Sequence, residues 1–272
     1  MKTHPKLAFA LASFLATPAL SAPVVHDQNV FPGIIFGDGN ANGGFTVDRA
    51  NNIELGLRAK VRFDLADDLP KNIFNSNGDG TFSHAAGAPA SNPTRARWNF
   101  EFSINSYLEG TAQSPTMLSD YVYRLRLDFD PGLGTNFFEF DPINGFPCFD
   151  HALGNNATTE ANNSEVDCSA PSAAADWAAA ISSYNVAQNS WNLDFFNELA
   201  GVSFDPTLNG IYDFTLSAFT RPGSTPTAGM IELASTSIRV LVGNAAIPAP
   251  ATLALFGIGL AGFGMGLRRR KG

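Results

Sequence analysis

Histidine, cysteine and basic residues are all scarce in this chain. Of its 272 residues only two are Cys, four are His, four are Met and three are Trp. His4 falls in an amino-terminal apolar segment, which leaves His26, His84 and His151 far apart in sequence. There is no H-E-x-x-H, no G-x-S-x-G and no glycine-rich phosphate loop, so the common metalloprotease, serine hydrolase and nucleotide-binding signatures are missing. Lys and Arg total 17 against 25 Asp and Glu. Six of those bases (Lys2, Lys6, Arg268, Arg269, Arg270 and Lys271) stand in two terminal segments that hold no acid. The middle of the chain is therefore more acidic than the net charge of -8 suggests, and it would repel nucleic acid and anionic lipid.

The abundant residues point to β-structure. With 44% hydrophobic residues, wholesale disorder is excluded, and 23 Phe, 25 Gly and 17 Pro favour short strands joined by tight turns. "NIELGLRAKVRFDL" places Ile53, Leu55, Leu57, Ala59, Val61 and Phe63 on one face and Glu54, Arg58, Lys60, Arg62 and Asp64 on the other, predicting a strand with one wet face. The alternation repeats in "RARWNFEFSINSY" and "DYVYRLRLDFD". It continues in "TNFFEFD", "NSWNLDFF", "IYDFTLSAFT" and "STSIRVLVG". The intervening "NSNGDG", "DPGLG", "FDPTLNG" and "RPGSTPTAG" carry turn chemistry. One short helix is expected in "SAAADWAAAISSYN", and residues 22 to about 46 read as an extended lead-in. The expected fold is all-β: a single antiparallel β-sandwich, jelly-roll-like, over residues 22–246.

Both ends read as addresses. Residues 1–21 have the positive start, apolar stretch and small-residue "ALS" ending of a secretory signal peptide. Residues 250–267 form an uncharged run, roughly 27 Å long as a helix, which just suffices for a transmembrane helix. The basic tail 268–271 (Arg268, Arg269, Arg270, Lys271) would stop transfer on the cytoplasmic side. Prolines, a Leu/Gly/Ala-rich helix and a basic cluster, in that order behind a signal peptide, resemble the PEP-CTERM sorting signal of Gram-negative bacteria, here over residues 247–272. The family's usual Pro-Glu-Pro is Pro248-Ala249-Pro250 in this chain, so both prolines carry over and the Glu does not. The resemblance implies recognition by an exosortase, a membrane protease-transpeptidase, after transient inner-membrane anchoring. It further implies release or attachment at the cell surface, often alongside exopolysaccharide in a biofilm. A permanent single-span anchor is the alternative. The body, in "DRANNIELGLRAKVRF", "ARWNFEFSINS" and "LAGVSFDPTLNGIYDFTLSAF", is similar to PEP-CTERM surface proteins with no biochemical role to transfer.

Chemistry-bearing candidates are few. Cys148 and Cys168 in an exported chain are expected to form a disulfide tethering the polar loop between them, with free thiols as the alternative. Asp38, Asn40 and Asn42, and again Asn75, Asn77 and Asp79, occupy the first, third and fifth places of a calcium loop with Gly sixth. Arg49 and Ala86 stand where the bidentate Glu belongs, so ordinary Asn/Gly turns are the simpler reading; Asp38 or Asp79 would anchor Ca²⁺ if it binds. No other cofactor is indicated. The carboxylate pairs Asp67/Asp68 and Asp128/Asp130 could serve glycoside hydrolysis, and Trp177 looks the freest Trp for sugar stacking. The sequence reads as a non-enzymatic surface or matrix protein; the alternative is a secreted carbohydrate-binding or carbohydrate-active module.

Overall fold

The computed structural model describes residues 24–108, 115–197, 199–221 and 229–244. Eleven strands and one α-helix appear among them. In chain order the strands are β1 (Val25–Gln28), β2 (Phe45–Ala50), β3 (Ile53–Val61), β4 (Thr81–His84), β5 (Trp98–Asn105) and β6 (Tyr121–Asp128). They continue with β7 (Phe137–Phe140), β8 (Ala152–Gly154), β9 (Val186–Trp191), β10 (Gly210–Thr220) and β11 (Glu232–Val242). The helix, α1 (Ala173–Ile181), lies between β8 and β9.

Two sheets form, in the orders β1-β2-β3-β5-β9-β8 and β4-β11-β10-β6-β7. The apolar alternate residues of the first face those of the second. Trp98 and Phe100 from β5 meet Tyr212 and Phe214 from β10, with the Phe100 and Phe214 rings stacked at 4.9 Å. Ile53, Leu55, Leu57 and Ala59 join Leu125, Leu127, Leu216 and Val240 in the same core. The all-β sandwich is thus the architecture observed. Two refinements to the expectation follow from the strand order. Neighbours are mostly strands consecutive in the chain (β1-β2, β2-β3, β6-β7, β8-β9, β10-β11), not the paired Greek keys of a jelly roll. The sandwich is also not wholly antiparallel: β4 runs parallel to β11, from Thr81 beside Arg239 to His84 beside Val242.

The outward faces of the two sheets differ. On the β10/β11 sheet, Arg124, Arg126, Glu139, Asp213 and Arg239 are accessible, as alternation predicts. On the other sheet the polar alternates are buried: Glu54, Arg58, Lys60, Glu101, Ser103, Asn105 and Gln188 all sit out of solvent. The expected wet face of β3 is corrected here. Residues 29–44, read from sequence as a lead-in, cross this face as a strap. Their apolar side chains Val30, Ile34, Ile35 and Phe36 pack with Phe45, Val47, Ala152 and Val186 in a second small core.

The strap lacks regular structure, so its backbone polar groups need partners from elsewhere. The sheet's polar side chains supply them. Glu54 Oε1 accepts from Phe31 N at 2.8 Å, and Gln188 accepts from Ile35 N at 2.8 Å while donating to Gly33 O at 2.7 Å. Asn105 donates to Phe31 O, and Arg58 donates to Ala41 O and Gly43 O.

Candidate functional site

The registers of β3, β5 and β9 bring one charged row under the strap. Arg58 lies opposite Glu101, which lies opposite Ser190; Lys60 lies opposite Asn99. Arg58 is 0% and Glu101 2% exposed as side chains, and the guanidinium meets Glu101 Oε2 at 2.5 Å through both Nε and Nη2. Its flat faces are covered by the Phe45 and Phe74 rings, each centroid 4.2 Å from Cζ. Burial pulls the Arg58 pKa below its ordinary value, and the charge of Glu101 opposes that. Burial likewise lowers Lys60, 5% exposed, with Glu101 opposing and Arg58 and Arg62 reinforcing the fall.

Beside this row opens a cleft of about 330 Å³. Its floor is Lys60, Asn99, Glu101 and Ser190; Phe36, Asp38 and Asn40 of the strap make one wall, and Arg62 and Pro70 the other. Lys60 Nζ donates to Asn40 Oδ1, which ties the wall to the floor. Asn99 Nδ2 donates to Ser190 Oγ at 3.0 Å, while its Oδ1 accepts from Asn192. Asn72 holds the strap from the other side, accepting from Ala41 N and donating to Gly39 O.

The residues singled out from sequence are placed as follows. Cys148 and Cys168 are joined in a disulfide. The loop they close is not wholly a surface loop, because β8 pairs with β9 and His151 is fully buried. In the first candidate calcium loop, Asn40 Oδ1 takes the Lys60 ammonium and Asn42 Oδ1 accepts from Val30 N and Gly43 N, so neither oxygen is turned to a shared centre. In the second, Asp79 accepts from the Thr81 N–H and hydroxyl, which lower its pKa, and Asn77 donates to Thr81 and Ser83. Asn75 sits at φ 52° in this turn before β4. Among the described residues no group of three or more His, Cys, Asp or Glu could hold a metal ion.

The carboxylate pairs are spent on structure. Asp128 Oδ1 accepts from Asp130 N and Asn136 N, with Asp130 accepting in turn from Gly132 N; Asp67 meets Lys71, and Asp68 meets Arg97. Trp177, expected to be the freest Trp, is only 3% exposed and donates to Ile143 O, so that expectation is corrected. His151 is enclosed by Phe149, Trp177, Trp191 and Phe102, and burial lowers its pKa to about 4. His84, stacked on Trp98 at 6.0 Å, is lowered to about 4 by the same cause. None of the three histidines lines the strap cleft.

Sequence reasoning missed Lys60, Asn99, Glu101 and Ser190 as a group, because it assigned their face to solvent. One signal was present: β3 and β5 carry Glu, Arg, Lys, Asn, Glu, Ser and Asn outward, few of them interchangeable with a simple lysine-rich solvent face.

The signal peptide 1–21, Pro248, Ala249, Pro250, the helix 250–267 and the cluster Arg268, Arg269, Arg270 and Lys271 lie outside the described residues. Among the described residues no helix is long and apolar enough to cross a membrane. No curated protein and no solved structure matches the chain. One family model does: residues 246–271 match the PEP-CTERM protein-sorting motif. The chain therefore carries a PEP-CTERM sorting motif, which supports an exported protein that exosortase, a membrane enzyme, sorts to the cell surface.

Proposed function

We propose that this is a non-enzymatic surface or matrix protein whose sandwich associates with extracellular polysaccharide. The observation that supports the reading is how its polar groups are used. The carboxylate pairs that could serve hydrolysis cap turns or meet Lys71 and Arg97, while the strap cleft keeps a mixed array of donors and acceptors on a buried floor. Hydrolysis of a glycosidic bond needs two carboxyl groups across the bond, one of them able to give up a proton. At the cleft, Glu101 commits one oxygen to Arg58, and Asp38 stands on the exposed wall. That pattern suits holding a polymer better than cutting it. In this reading exosortase removes the carboxy-terminal segment after transient anchoring, and the sandwich remains outside the cell.

The test is to incubate the purified sandwich with extracellular polysaccharide from the producing cells, then measure co-sedimentation and polymer length. Retention with unchanged length is expected. Shortening of the polymer that disappears in Asp38→Asn, a change on the exposed wall, would replace this reading with the carbohydrate-active one.

A further inference from the structure

We infer that the strap cleft is a binding site for one neutral, polyhydroxylated sugar ring of a polysaccharide chain, with Lys60 and Glu101 as its paired donor and acceptor. The inference rests on the polysaccharide reading above and gives it a place and a chemical preference.

Three observations carry it. The first is unspent hydrogen-bonding capacity at groups that line the cleft. An ammonium has three donors, and Lys60 uses one on Asn40 Oδ1. Glu101 directs its two contacts with Arg58 to Oε2, and Oε1 has no hydrogen-bond partner among the described residues. Ser190 Oγ accepts from Asn99, which leaves its O–H to donate. Lys60 and Glu101 are both more than nine-tenths buried, and both line the cleft. None of these three atoms is among the buried polar atoms without a partner, so water reaches them from the cleft, and an occupant that brings its own donors and acceptors can take that water's place. Adjacent hydroxyls on a sugar ring do so, each giving one hydrogen and accepting another.

The second observation is charge balance. Two cations, Lys60 and Arg62, and two anions, Asp38 and Glu101, line the cleft. Glu101 is moreover already paired with Arg58, so the lining presents no concentrated field of either sign to a uronate, a phosphate or a divalent cation. A neutral ligand needs no such field. The third observation is shape. The volume of about 330 Å³ is at the small end for ligand sites, about 300 Å³ upwards, and Phe36 and Pro70 offer apolar surface for the C–H face of a ring.

Immobilised neutral glycans and uronic-acid glycans of matched length, together with the producing cells' own extracellular polysaccharide, are the probes. The wild-type protein, recovered from the cells that export it, is compared with Lys60→Met, Ser190→Ala and Thr215→Ala, the last a control on the outward face of the β10/β11 sheet. Binding to neutral glycans is expected, weakened about tenfold or more by Lys60→Met and less by Ser190→Ala, as for loss of a charge-assisted and a neutral hydrogen bond. Thr215→Ala should bind like wild type. Thermal melts accompany each variant; Lys60→Met gives up the tie to Asn40, and if it melts lower than wild type, Ser190→Ala carries the decision. Polysaccharide binding that survives both cleft variants overturns this site and leaves the polysaccharide reading standing. No binding to any probe overturns both. A preference for uronic-acid glycans overturns the assignment of a neutral ring.

Discussion

A single residue, Arg58, shows why polar does not mean wet in this protein. Alternation in β3 correctly puts it on the face opposite Leu55 and Leu57, but that face is roofed, and the guanidinium lies between two phenylalanine rings with Glu101 as its counter-charge. Removing one member of a buried pair strands the other. Glu101→Gln should therefore destabilise the sandwich by about 3–5 kcal/mol, and Arg58→Met with Glu101→Leu together by much less. Urea denaturation of Glu101→Gln and of the double variant reads this directly. His84 offers a second residue-scale expectation. Its folded pKa of about 4 lies below the 6.5 of a free histidine, so the unfolded chain binds the extra proton between those values. The neutral form costs nothing above about pH 6.5; stability is lost as the pH falls through 6.5 towards 4, by about 3 kcal/mol for a shift of this size. Buried Asp48, Glu54 and Asp128 are shifted upward by desolvation and act in the opposite sense just above the carboxylate range. Those groups are common to His84→Phe and wild type. The difference in their melting temperatures between pH 7.5 and pH 5 should thus isolate the histidine, with the wild type falling further.

Among the elements, the strap decides what the first sheet can be. Gly56, in the middle of β3, is the point of closest approach: a Cβ built there would lie 2.8 Å from Val30 Cγ1 and 3.1 Å from Phe45 Cδ1. Gly56→Val should push the strap off its bed at about 1–3 kcal/mol. Limited proteolysis should then cut within residues 29–44 of the variant while the wild type resists. The disulfide is a second clamp, at the β8 edge of the same sheet. Opening it should cost about 3 kcal/mol by the chain-entropy argument, measurable as a lower denaturation midpoint in dithiothreitol.

Six strands with clear alternation were legible in the sequence, and their inward residues (Trp98, Phe100, Leu125, Phe214, Val240) are those found in the core; the seventh, "NSWNLDFF", caught only the last three residues of β9, because Leu193–Phe196 turns as a 3-10 helix. The short strands β1, β2, β4 and β8 were not. Each is only three to six residues long and, unlike the equally short β7 with its run of Phe, lacks an aromatic pattern to mark it; β4 owes its place to parallel pairing with a strand about 160 residues later. The cleft was illegible for a related reason. Its floor comes from three strands and its walls from two loops, and no local pattern states that Asn40 and Lys60 will meet. The disulfide was legible because the chain has only one pair of cysteines to join.

At the scale of the whole molecule, sorting and folding are separable in sequence but adjacent along the chain. The last strand ends at Val242, and the matched sorting motif begins at residue 246. Mass spectrometry of protein recovered from cells and medium should find a new carboxy terminus near Pro248–Pro250, and Ala249→Glu, which restores the family's usual central residue, should raise the processed fraction. An intact Arg-rich tail in every fraction would count against processing.

The parallel pairing of β4 with β11 has a geometric corollary. It sets His84 beside Val242, the last residue of β11; His84 stacks on Trp98; and Trp98 lies opposite Val61, which lines the strap cleft. Four residues of chain span no more than roughly 14 Å. The Val61 side of the cleft and Val242 thus lie at the same end of the sandwich, and the sorting motif begins at residue 246, four positions beyond Val242.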